Sequence, residues 1–170
     1  YKNLKLNENP QPIIDQRDYK ISPLSISNNE TASDKLVFFE NELDFQFFNI
    51  DNHKKVYCIL LANDERQVKL GSKVLDYKKN LIKNQIQNSG LNIEFIKGNK
   101  FIELVKNEKD FNVIYPSVGE NMSFLKKVIK KKNLIINYLI REEDEYCWQF
   151  SNKGYFNFKS NIPKILSQFK

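Results

Sequence analysis

A chain of 170 residues, 41% hydrophobic and 13% aromatic, carries enough apolar surface for one buried core. Its formal charge of +6 comes almost wholly from lysine, because Arg17, Arg66 and Arg141 are the only arginines. Arginine reads phosphate and guanine through its bidentate fork, so this balance argues against a dedicated nucleic-acid reader. The richness in Asn, Lys and Ile, with Ala32 and Ala62 as the only alanines, reads as a chain-wide compositional drift that raises the pI without a selected partner. No run reaches the roughly 20 consecutive apolar residues of a membrane-spanning helix.

The sequence opens on Tyr1 rather than Met, as expected of a processed product or a fragment. Residues 1–33 are polar, contain Pro10, Pro12 and Pro23 and hold no sustained period, which predicts an irregular arm or tether. Its short apolar patches, at Ile13-Ile14 and over residues 21–26, could dock on the domain or add an edge strand. The remainder, 34–170, is expected to form a single α/β domain.

From Leu36 the run KLVFFENELDFQFFNI, followed by KKVYCILLA, predicts two or three antiparallel strands. Asp51, Asn52, His53 and Lys54 make the polar hairpin turn. Leu43, Phe45 and Phe47 alternate with Asp44 and Gln46, and the run from Val56 to Leu61 is apolar on both faces, as in a central strand. After Gly71, apolar positions Val74, Leu75, Leu81, Ile82 and Ile86 recur at helical spacing, with Ser72 as N-cap and Gly90 as the stop.

Strand and helix patterns then take turns: LNIEFI, NKFIELVKNE, FNVIYP, NMSFLKKVIKKK and NLIINYLI. That alternation predicts βαβ units and a mainly parallel sheet with flanking helices. The tail EYCWQF-SNKG-YFNFK reads as a β-hairpin around an Asn/Gly turn. A last helix capped by Ser160 would follow, with Pro163 near its start and Ile162, Ile165, Leu166 and Phe169 on its buried stripe.

Candidate chemistry is sparse. Pro116, Ser117, Val118 and Gly119 turn a strand into a helix, a place where backbone N–H groups can hold an anion. Neither the nucleotide-loop spacing nor GxGxxG occurs there, and Glu120 would oppose an anion. Lys126, Lys127, Lys130 and Lys131 lie opposite Phe124, Leu125, Val128 and Ile129. They form a solvated face, or a contact for an anion or for nucleic acid, without interleaved aromatics or arginine. The run Arg141 to Glu145 lacks the alternate spacing and central Gly of a calcium loop, and a polar hairpin connection is the expectation there. His53, the only histidine, is placed in a tight turn facing solvent. With Cys58 and Cys147 far apart in sequence and one histidine, zinc is not expected. The two cysteines are either free buried thiols or a single disulfide. No catalytic residue, metal or cofactor is assigned. Asp64, Glu65, Asp110 and Glu120 near strand ends leave open an enzyme whose carboxylates converge only in three dimensions. Tyr146, Trp148, Phe150, Tyr155, Phe156 and Phe158 alternate across the tail, so some must face outward, as a protein-binding surface would.

CILLANDE resembles the opening strand of response-regulator receiver domains, but Tyr115 and Pro116 end the strand that should carry the phosphoacceptor aspartate. Phosphoacceptor chemistry is therefore not expected. From Lys55 onward, the succession of strand, long helix, GLNIEFI, FNVIYPS, NLIINYLI and WQFSNKGYFNFKSNIPKI is similar in pattern to YfiR-like periplasmic proteins. That resemblance implies a non-enzymatic envelope regulator. The reading preferred from the residues is a non-enzymatic protein-binding or assembly domain of an exported, periplasmic or lipoprotein-like envelope protein. Its alternative is a cytoplasmic nucleic-acid-associated module using the lysine-rich helix.

Overall fold

The computed structural model describes residues 30–44, 48–151 and 154–169. Five strands make one sheet: β1 (Lys35–Phe39), β2 (Lys55–Leu60), β3 (Glu94–Lys97), β4 (Asp110–Ile114) and β5 (Ile135–Leu139). Every pairing is parallel and the spatial order is β3-β2-β1-β4-β5. The helices α1 (Ser72–Ser89), α2 (Gly98–Leu104) and α3 (Glu120–Lys132) serve the crossovers, and α4 (Glu142–Trp148) and α5 (Tyr155–Gln168) follow the sheet.

The central strand explains the layering. Leu36, Val37, Phe38 and Phe39 are all fully buried, which a strand achieves only when both faces of its sheet are covered. Leu36 and Phe38 join Val56, Cys58, Ile114, Leu139 and Ile82 of α1 on one face. Val37 and Phe39 join Phe101 of α2 and Phe124, Leu125 and Val128 of α3 on the other. The two layers have different depth: α2 and α3 contribute several fully enclosed side chains, whereas α1 buries only Ile82 and leaves Val74 and Leu81 exposed.

β1 and β2, which the sequence reading placed among antiparallel strands, pair in parallel, and the strand expected over Leu43, Phe45 and Phe47 falls partly outside the described residues. The turn-forming residues around Asn52 make a short 3-10 turn at Ile50–Asn52 instead of a reversal. His53, expected in solvent, is buried: Nδ1 lies 3.2 Å from the Asn49 carbonyl and Nε2 2.9 Å from Asn112 Nδ2. The Asn112 amide donates to Nε2, so Nδ1 carries the proton and donates to the carbonyl. Asn112 Nδ2 also donates to the Ser33 carbonyl, and its Oδ1 accepts from Asn137 Nδ2 at 2.8 Å, which binds the 3-10 turn before β2 to β4 and β5. Phe45 and Phe47 lie outside the described residues, as does the expected arm up to residue 29. From Glu30 the chain makes a 3-10 turn, and Ser33 Oγ donates to the Asp110 carboxylate at 2.9 Å.

The C-terminal hairpin is also corrected, to two helices. Glu142, Glu143, Asp144 and Glu145 fill the first turn of α4, where carboxylates complement the helix dipole and favour helix over strand. α5 starts at Tyr155 after Gly154, whose φ of 80° only glycine adopts freely. Ser160 therefore sits inside the helix, its Oγ donating to the Asn157 carbonyl, and Pro163 is an interior residue rather than a first-turn one. The helix predicted after Gly71 and its stop at Gly90 are as expected, with Gly71 rather than Ser72 at the cap.

Candidate functional site at the carboxyl edge of the sheet

After β1 the chain moves to β2 and β3 on one side, and after α2 it returns to β4 and β5 on the other. The connections following β1 and β4 therefore part from each other at the carboxyl edge, and open parallel sheets place ligands in the crevice so formed. The base of this crevice is a buried polar cluster. Glu40, directly after β1, accepts from Arg66 Nη2 at 2.8 Å, from Lys78 Nζ at 3.4 Å and from Asn121 Nδ2 at 3.2 Å. The Glu40 and Arg66 side chains are 3% and 5% exposed, so this pair is held out of water and depends on its hydrogen bonds. Arg66 Nε also donates to the Leu61 carbonyl, and Asn41 Nδ2 reaches the Pro116 carbonyl. The loop after β2, α1 and the start of α3 are thereby fixed to one carboxylate. Glu120 accepts from the Gln67 and Val68 amides, whose hydrogen bonds hold its carboxyl below the usual range. It is thus turned onto the loop after β2. Glu65 accepts from the Ala62 amide and fills the space above Gly98, where any Cβ would lie 2.6 Å from its carboxylate oxygen.

Beside this cluster opens a pocket of about 120 Å³, lined by the residues after β1, β4 and β5 and by α4. Its apolar wall is Phe48, Ile114, Leu139 and Ile140. Tyr115 and Trp148 meet edge to face, with ring centroids 5.2 Å apart. Its polar end holds Glu42, Asp144 and Arg141, and Arg141 Nη2 donates to Glu42 Oε2 at 2.6 Å. Burial pushes the Glu42 carboxyl above the ordinary glutamate value; the Arg141 charge opposes the shift and the Asp144 charge adds to it. Ser117 at the rim is held at φ 59°, a left-handed conformation uncommon for a non-glycine residue.

The six aromatic residues expected to act together are divided by the two helices. Tyr146 is half-buried between Phe150 and Phe169, with centroids 5.4 and 5.5 Å away. Phe150 lies under the Lys164 ammonium at 5.3 Å, and Phe158 is half-buried. Trp148 belongs to the pocket, and only Tyr155 and Phe156 stand well out, 67% and 82% exposed. Lys126, Lys127, Lys130 and Lys131 are exposed on α3, opposite its buried stripe, with Lys130 and Lys131 in the last turn where the helix dipole favours cations. Of the four carboxylates left open for catalysis, Glu65 and Glu120 sit at the carboxyl edge bonded to backbone, Asp64 is exposed in the same connection as Glu65, and Asp110 lies at the opposite edge with Ser33 and Lys35. Cys58 and Cys147 are both free thiols, and burial raises the Cys58 thiol far above its ordinary value. Sequence reading missed Glu40, Glu42, Tyr115 and Arg66 as a group. The available signal was that each directly follows, or lies a few residues beyond, an apolar strand in a parallel sheet.

No known protein family, characterised protein or solved structure matches this chain in comparison searches. Among the described residues, no helix is long and apolar enough to cross a membrane.

Proposed function

We propose that this chain contributes a protein-binding module whose contact surface is α5. The observation that carries this reading is the exposure of the helix: only Ile165 is buried, while Tyr155, Phe156, Ile162, Leu166 and Phe169 reach solvent. A helix that packed on its own domain through one stripe would leave polar residues outside. Here Tyr155, Ile162 and Leu166 recur at helical spacing beside Ile165, so the apolar stripe of α5 is covered at one residue and open at the others, and exposed apolar surface of this kind marks interaction sites. The helix holds Lys159 and Lys164 but no acidic residue, so its contact surface is apolar with a basic rim.

The test is affinity capture from the native extract with wild type and with the triple variant Tyr155→Ser, Phe156→Ser and Leu166→Ser. The expected result is loss of a captured protein with circular dichroism unchanged. An identical set of captured proteins would overturn the reading.

A further inference from the structure

The pocket beside Glu42 is not used by the α5 reading, and its composition points to a ligand of its own. Glu42 and Asp144 present two carboxylates against the single guanidinium of Arg141, and that guanidinium is already engaged by Glu42. The surrounding charge has the same sign: Glu142, Glu143 and Glu145 share the first turn of α4 with Asp144, and Asp44 adds its negative field to Glu42. An anion entering here would meet this field and compete with a 2.6 Å ion pair for Arg141. A cation would find a net negative end and, next to it, the aromatic pair Tyr115–Trp148. The space of about 120 Å³ equals that of about four waters at ~30 Å³ each, enough for a side-chain-sized molecule. Phe48, Ile114, Leu139 and Ile140 supply an apolar bed for its body.

We propose that this pocket binds a primary ammonium group carried on a short apolar chain, the ammonium between Glu42 and Asp144 and the chain against the Tyr115–Trp148 pair. The same chemistry belongs to a free alkylamine and to a lysine side chain of a peptide. Mutations on α5 leave this site intact, so its test is independent of the protein-binding reading.

Trp148 is the only tryptophan, so intrinsic fluorescence reports on the pocket directly. The experiment titrates the full chain at low salt with n-butylammonium, with Nα-acetyl-lysine methylamide and with butyrate, which has the same body and the opposite charge. The expected result is a saturable change with an ammonium probe, weakened by about five-fold in Asp144→Asn and by added salt, with butyrate inert. Asp144 is exposed at the rim, so its substitution leaves the fold in place even where Glu42→Gln loosens the Arg141 contact. Response to both ammonium probes assigns the site to amines of either source, and response to butylammonium alone assigns it to free amines. No saturable change with either, or a butyrate response as strong, overturns the proposal.

Discussion

Glu40 illustrates how a single side chain can organise a whole edge of the sheet. Its carboxylate is buried with three donors around it, so Glu40→Gln leaves Arg66 charged and enclosed without an ionic partner. The expected loss is about 3–5 kcal/mol of unfolding free energy in urea titrations. The pair Glu40→Met with Arg66→Met should recover much of that loss, since desolvation no longer opposes burial. Glu42 carries a different pH signature. Its carboxyl is raised by burial, so the folded state binds the proton more tightly than the unfolded chain. Its contribution is therefore fully present below about pH 4.3 and is lost as pH rises through the folded value. The unfolding free energy of wild type minus that of Glu42→Gln should fall as pH rises above about 4.3; a rise would refute the assignment. Asp110 has the opposite sign, because the Ser33 hydroxyl and the Lys35 ammonium hold it low. What it contributes is present above about pH 3.9 and declines as pH falls through its depressed value.

Among the elements, α5 is the one whose sequence and surroundings disagree most. Pro163 lies in its interior, where it removes an amide donor and crowds the preceding turn, at a cost of up to about 3 kcal/mol relative to alanine. Pro163→Ala should raise the melting temperature; a lower one would show that the proline holds a bend the fold uses. The preceding helix, α4, shows why the tail reads as a hairpin in the sequence. Tyr146, Trp148 and Phe150 alternate as a strand would, yet Tyr146 and Phe150 are also i and i+4, and their rings meet at 5.4 Å between α4 and the turn that follows it. Short aromatic runs satisfy both periods, and the four carboxylates ahead of them were the deciding signal. The units from α1 to β5 were legible because each is long enough for its period to show and is closed by a stop such as Gly90. The β1–β2 link was not, since Asp51, Asn52 and His53 suit a reversal as well as a 3-10 turn, and only four consecutive buried residues in β1 betray a central strand.

At the scale of the molecule, the carboxyl-edge cluster could not be read in advance, because Glu40 meets Asn121 across 81 positions and no local pattern carries that pairing. The lysine face of α3, by contrast, is a surface property that salt can test. If it serves only solvation, a gel shift with mixed nucleic acids should be weak at low salt, vanish near physiological salt and be unchanged when Lys126, Lys127, Lys130 and Lys131 become Gln. A salt-steep shift lost in that variant would instead favour the nucleic-acid reading.

The order of the sheet also governs how the chain can be born. Among the described strands β1 is the first to leave the ribosome, and it lies at the middle of the finished sheet, with Leu36 paired to Asn112. At translation rates of about 5–20 residues per second, some 4–15 s separate these two partners. Once β2 has followed, the five apolar-rich residues of β1 offer it one side and the cell the other until β4 arrives. A nascent chain stalled just before β4 should accordingly be the species that chaperones hold and proteases cut.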